Sequence, residues 1–193
     1  MSDVEVERKF VERVSEFLLS LPFDLKILQE AVTDPDLDKP ARLLAAATIV
    51  HTLMPQEGEG PFRYVDDVLY VRAALHEIGK GEGEGAVAFR DRFAGEVYGA
   101  LADDLALFNG YLGALWPWLC GKLASFQKLS LKGKKPAQAV DDEEVASLLY
   151  DEGLAFQTNY PVNEEQVRNK VRRGDQILDL FKRRYEDDKK RIG

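Results

Sequence analysis

Asp66 and Asp67 stand side by side, with Arg63 four residues before Asp67 and Tyr70 four after Asp66. Paired carboxylates can divide acid and base roles when their surroundings push their pKa values apart, which requires a cleft. They can also clamp a neighbouring loop around a metal or a partner. A plainer role needs no ligand. Near the start of a helix each negative charge is favoured by about 0.3–1 kcal/mol. Arg63 would lie on the same helix face as Asp67, and the Tyr70 hydroxyl could donate to Asp66. The spacing favours this capping and local pairing.

Other chemistry-bearing residues are sparse. Cys120 is the single cysteine, so neither an intrachain disulfide nor a thiolate metal cluster can form, and a buried thiol is expected. Leu105 to Gly121 is a stretch of 17 uncharged residues containing Phe108, Tyr111, Trp116 and Trp118. That is short of a membrane-spanning helix, and Asn109, three glycines and Pro117 interrupt it. A buried pair of helices, broken near Gly110 and near Pro117, is expected. Peripheral membrane association through residues 105–135 is an alternative, with both tryptophans at a bilayer interface and Lys122, Lys128, Lys132, Lys134 and Lys135 meeting anionic headgroups.

The elements that would position these residues are helical throughout. Ser2 with Glu5 forms a capping box before Val6, Phe10, Val14, Phe17 and Leu18, and Pro22 is expected to end that first helix. A short second helix then leads to the turn Asp34-Pro35-Asp36. Asp38 caps the next helix, whose Leu43–Met54 stretch is apolar all round and so central. A further helix spans 62–78, and the Gly-charge alternation of 80–85 predicts a mobile connection. Helices are expected over 86–109, over 110–126 and from Asp141 to about Phe156. The last is capped by Asn163 with Gln166. It carries a heptad seam of Val167, Val171, Gly174, Leu178, Phe181 and Tyr185, suited to packing on the bundle or to a dimer. The expected fold is all-α, a single multi-helix bundle of about seven to eight helices with a long C-terminal helix. Residues 1–129 would form the bundle, 130–140 a solvated Lys-rich linker, and 141–193 two C-terminal helices packing on or extending it.

Two resemblances attach to this frame. Lys39-Pro40-Ala41-Arg42-Leu43-Leu44, leading to Pro55, and then Arg63-Tyr64-Val65-Asp66-Asp67-Val68-Leu69, resemble the YkvA-like family of small bacterial helical domains. The likeness covers residues 36–78 and implies a helical hairpin and no activity. The connector Pro55–Pro61 lacks that family's apolar anchors and aspartates. Ala74-Leu75-His76-Glu77-Ile78-Gly79-Lys80 is similar to the His-Asp motif of metal-dependent phosphohydrolases, with Glu77 where aspartate is usual. That likeness implies a divalent metal held by His51, His76, Glu77 and Asp103 or Asp104, with Asp104 the preferred fourth ligand. Such a metal would lower the pKa of a bound water for attack on phosphorus. Without a metal, His76 and Glu77 read as an ordinary helix C-terminus.

Charge completes the reading. The chain carries 26 basic and 34 acidic residues, a net charge of −8, which argues against general nucleic-acid binding. Residues 163–193 hold ten basic and seven acidic side chains, so an acidic body carries a basic tail. The charged amino terminus has no apolar core, and a cytoplasmic location is expected. The leading expectation is a non-enzymatic module that binds a protein partner or itself, with no cofactor. The metal-dependent phosphohydrolase-like site and peripheral membrane binding are the alternatives.

Overall fold

The first helix, α1, runs Asp3–Thr33 without a break in the computed structural model, which describes residues 2–192. Ser2 caps it by accepting from the Glu5 amide. Pro22 was expected to end the helix and does not. A proline lacks the N–H that would bond the carbonyl four residues back, which here belongs to the buried Leu18. The Tyr160 hydroxyl donates to that carbonyl at 2.6 Å. A side chain from the far end of the chain thus supplies the missing donor.

Helix α2 (Lys39–Leu53) is central, as its apolar run predicts. Asp38 accepts from the Ala41 amide at 2.8 Å, and Pro40 sits in the first turn. Ala45 through Val50 are buried, and the Thr48 and Thr52 hydroxyls return to the carbonyls of Leu44 and Thr48. A 3₁₀ turn, Gly60–Tyr64, leads into α3 (Val65–Gly79), which runs back along α2 and is buried along most of its length. Arg72 of α3 donates to Asp24 of α1 at 2.7 Å, with its guanidinium 3.8 Å from the Phe17 ring centroid. This buried ion pair joins the two helices.

The expected helix 86–109 is divided. Helix α4 (Glu84–Arg92) ends at Phe93, a π-helical turn spans Ala94–Tyr98, and α5 continues from Gly99 to Leu112. The Tyr98 hydroxyl holds the π turn to the Leu75 carbonyl of α3 at 2.8 Å. The 80–85 connection is more constrained than its composition predicts. Arg90 donates to the carbonyls of Gly79 and Gly81, and Gly85 lies so close to Asp36 that an added Cβ would stand 1.8 Å from its carbonyl oxygen. Glycine is required there by proximity.

Gly113, at φ +55°, turns the chain into α6 (Leu115–Lys122), and a 3₁₀ turn follows over Leu123–Lys128. Residues 130–140 are not the expected solvated linker. Leu131 and Lys134 pair across a tight turn, and α7 (Pro136–Asp141) buries Pro136, Ala139 and Val140. Helix α8 (Glu143–Asn159) is capped by Asp142, one residue later than expected, while Asp141 accepts from Lys39 at 2.7 Å. The Asn163–Gln166 capping box opens α9 (Glu164–Lys170) as expected. The chain leaves helical form over 171–173 and resumes as α10 (Gly174–Ile192). The fold is all-α, with ten α-helices among the described residues and no strand among them, and the C-terminal helix is long. The larger helix count comes from the breaks at Phe93 and 171–173 and from the added α7, against one helix lost where α1 runs through Pro22. None of these helices is long and apolar enough to cross a membrane.

Candidate functional site

The carboxylate pair opens α3 beside the last turn of α2, and both aspartates are buried. Asp66 accepts from Arg184 Nη1 of α10 at 2.7 Å through Oδ2. Asp67 Oδ1 lies 3.1 Å from His51 Nδ1. The second oxygen of each, Asp66 Oδ1 and Asp67 Oδ2, is buried with no hydrogen-bond partner among the described residues. Unpartnered buried acceptors are uncommon and cost about 1–3 kcal/mol each.

Beside Asp66 lies a cleft of about 450 Å³ between the end of α2, the start of α3, α6 with its 3₁₀ extension, and α10. This volume is within the range of small-molecule sites. His51, Asp66, Tyr70, Trp118, Phe126 and Arg184 are among its walls. The His51 ring stacks on Phe126 at 4.0 Å and meets the edge of Tyr70 at 5.1 Å. Trp118 packs edge-on to Tyr185 at 5.4 Å, with Lys122 Nζ 4.6 Å from its ring centroid. Lys122 also pairs with Asp188, which ties α6 to α10.

Burial sets the electrostatics. It raises Asp67 well above the usual carboxylate range, and the neighbouring charge of Asp66 adds to the shift. Burial also raises Asp66, against the opposing pull of Arg184 and of the Asp66 and Asp67 backbone amides at the start of α3. His51 is lowered to about 4 by burial, then by the charges of Lys122 and Arg184. Both members of the His51–Asp67 contact are therefore pushed toward their neutral forms. The contact holds one proton between Asp67 Oδ1 and His51 Nδ1, with the tautomer deciding which of the two donates. Burial raises the Tyr70 hydroxyl as well, so it stays protonated.

The expected local pairing differs in its partners. Arg63 is exposed and donates to the Gln56 carbonyl at 2.9 Å, not to Asp67. Tyr70 makes no hydrogen bond to Asp66 among the described residues. Its ring instead walls the cleft. The partner of Asp66 comes from 118 residues away, so no local spacing could reveal it. Arg184 lies within the basic tail, and Phe126 at the end of the expected 110–126 helix, and neither position carries a sequence signal of its own.

The metal constellation is not assembled. His76 and Glu77 are exposed at the far end of α3, and Glu77 pairs with Lys80. His76 lies nine positions beyond Asp67, the partner of His51, which is about 13 Å along a helix. Asp104 is held by Arg13 through two hydrogen bonds, of 2.7 and 2.9 Å. No group of three or more His, Cys, Asp or Glu side chains is placed to share a metal ion among the described residues.

The heptad seam is spent largely inside the chain. Val167, Val171, Gly174 and Phe181 are buried, while Leu178 and Tyr185 are half-buried. The break at 171–173 also resets the helical phase, so Ile177 joins the stripe at full burial. The aromatic stretch turns inward too. Trp116 packs against Phe108 at 5.6 Å, and Trp118 faces the cleft. A wider cleft of about 940 Å³ at the 80–86 connection is lined by Asp36, Asp38, Glu77, Glu82 and Glu84, but its walls contain none of the unpartnered buried groups. Comparison with protein-family models, curated proteins and solved structures finds no match.

Proposed function

We propose that this chain is a non-catalytic binding protein whose recognition site is the cleft beneath α10. The supporting observation is Asp66 in the wall of a cleft of ligand size, with its buried Oδ1 lacking a hydrogen-bond partner among the described residues. A group that costs stability and lies beside a binding-sized space is accounted for when a ligand supplies its missing donor. Catalysis is less well supported. A general base works best with a pKa near the working pH, and His51, at about 4, is a weak one. Self-association through residues 167–185 has little to draw on, because most of the seam is already covered by the chain itself. The likeness of residues 36–78 to YkvA-like domains fits this reading, since the hairpin α2–α3 carries His51, Asp66 and Asp67. We take the protein to act in the cytoplasm, where a lone half-buried thiol such as Cys120 stays reduced.

The test is a fragment screen on the isotopically labelled full chain, read by amide NMR shifts. Binders are expected to move the signals of His51, Tyr70, Lys122, Phe126 and Arg184 together. Fragments that bind only elsewhere, or none that bind, would remove the proposal.

A further inference from the structure

The geometry points to the ligand class. The cleft is built for a small zwitterion of the amino-acid type, carrying an ammonium, a carboxylate and an apolar side chain. This rests on the cleft being the recognition site and goes on to the chemistry it selects.

Three features converge. The first is Asp66, which lines the cleft, is 7% exposed and has no hydrogen-bond partner for Oδ1 among the described residues. Asp66 brings a carboxyl group to the cleft wall, and an ammonium, with three N–H donors, is its complement there. The second is Arg184. Its hydrogen bond to Asp66 uses Nη1 alone. A guanidinium has five N–H donors in a planar fork, and one fixed at a single nitrogen presents the rest in a set orientation that suits a carboxylate. Arg184 is about one-third exposed in its side chain, so that remainder is reachable from solvent. Both signs of charge thus meet within one ion pair, which a zwitterion can span without leaving either partner uncompensated.

The third feature is the aromatic wall. His51, Tyr70 and Phe126 pack on one another, with ring centroids 4.0–5.1 Å apart, and Trp118 stands beside them. That surface offers dispersion contact to an apolar side chain and carries no net charge of its own, because His51 is neutral. The remaining acids and bases of the cleft are close to balance, with Glu57, Asp187 and Asp188 against Lys122 and Arg191. A purely cationic ligand at Asp66 stands beside the like charge of Arg184, and a purely anionic one at Arg184 beside that of Asp66, whereas a dipolar ligand matches both.

Calorimetric titration of the full chain at neutral pH with L-phenylalanine, phenethylamine and 3-phenylpropionate tests this. The three share the ring and differ only in which charges they carry. Phenylalanine is expected to bind at least tenfold more tightly than either singly charged compound. In Arg184→Lys, which keeps the charge and loses the fork, phenylalanine should fall toward phenethylamine. In Asp66→Asn it should fall toward 3-phenylpropionate. Should either variant fail to fold by circular dichroism, the three-ligand comparison on the unaltered chain decides alone. Equal binding of the three, or none by these compounds while other fragments still shift the cleft signals, would overturn the ligand class and leave the cleft standing. A cleft whose signals no compound moves would remove both.

Discussion

Tyr160→Phe removes one oxygen and keeps the ring, so its cost isolates the hydrogen bond that carries α1 past Pro22. The carbonyl of Leu18 is the acceptor, Leu18 is fully buried, and the bond is 2.6 Å long. Without the hydroxyl this carbonyl has neither the helical donor that Pro22 lacks nor a side-chain substitute, and a buried acceptor left alone costs about 1–3 kcal/mol. In a Pro22→Ala background the restored amide supplies the helical bond, so the same Tyr160→Phe change should cost no more than about 0.5 kcal/mol. The two sites should therefore couple by about 1 kcal/mol or more, a clear signal in a double-mutant cycle. Urea denaturation of the four proteins, with unchanged m-values, measures it. A Tyr160→Phe cost that is the same in both backgrounds would refute the reasoning, because the hydroxyl would then act independently of the proline.

The carboxyl of Asp67 is raised in the native state, so the native chain holds its proton to higher pH than the unfolded chain, and stability from this group is lost as pH rises above the ordinary carboxylate range. Asp67→Asn copies the protonated form, and its amide can still donate to His51. Its stability relative to the parent should rise with pH in urea titrations upward from pH 4, and a pH-independent difference would contradict the upward shift of Asp67. His51 acts in the opposite sense: with a native value near 4 against about 6.5 when unfolded, its contribution should strengthen as pH rises between those limits. In Asp67→Asn that upward slope should stand unmasked. Gly85→Ala should destabilise by about 1–3 kcal/mol because its Cβ meets the Asp36 carbonyl. By contrast Gly121→Ala, in α6 with open space around it, should be neutral or stabilise by up to about 1 kcal/mol in thermal unfolding.

Helical class, the Asp38 and Asn163 caps and the central place of α2 were legible because each is set by residues within one or two turns of one another. Pro22 shows the limit. Its local rule is sound, yet the donor that defeats it comes from Tyr160, 142 residues from the Leu18 carbonyl that it serves. The 130–140 segment was misread for a similar reason. Its lysines are solvated, but Pro136, Ala139 and Val140 bury a surface that exists only once α2 is folded. At the site, the sequence singled out Asp66, Asp67 and Tyr70 but supplied them with neighbours by spacing alone. Arg63 was nearest in sequence and turned to the Gln56 carbonyl, whereas His51 and Arg184 were brought in by the hairpin and by α10. The heptad seam was half legible: most of its residues are buried in the chain's own core, but the break at 171–173 resets the phase and brings Ile177 into the stripe.

Amide NMR of the labelled full chain, with a chemically diverse fragment collection added, tests most directly whether the cleft beneath α10 takes a ligand. Shifts concentrated on His51, Tyr70, Phe126 and Arg184, and abolished when Ser125→Trp fills the cleft, are the predicted result. Shifts that survive that filling, or a spectrum no fragment disturbs at those residues, would contradict it.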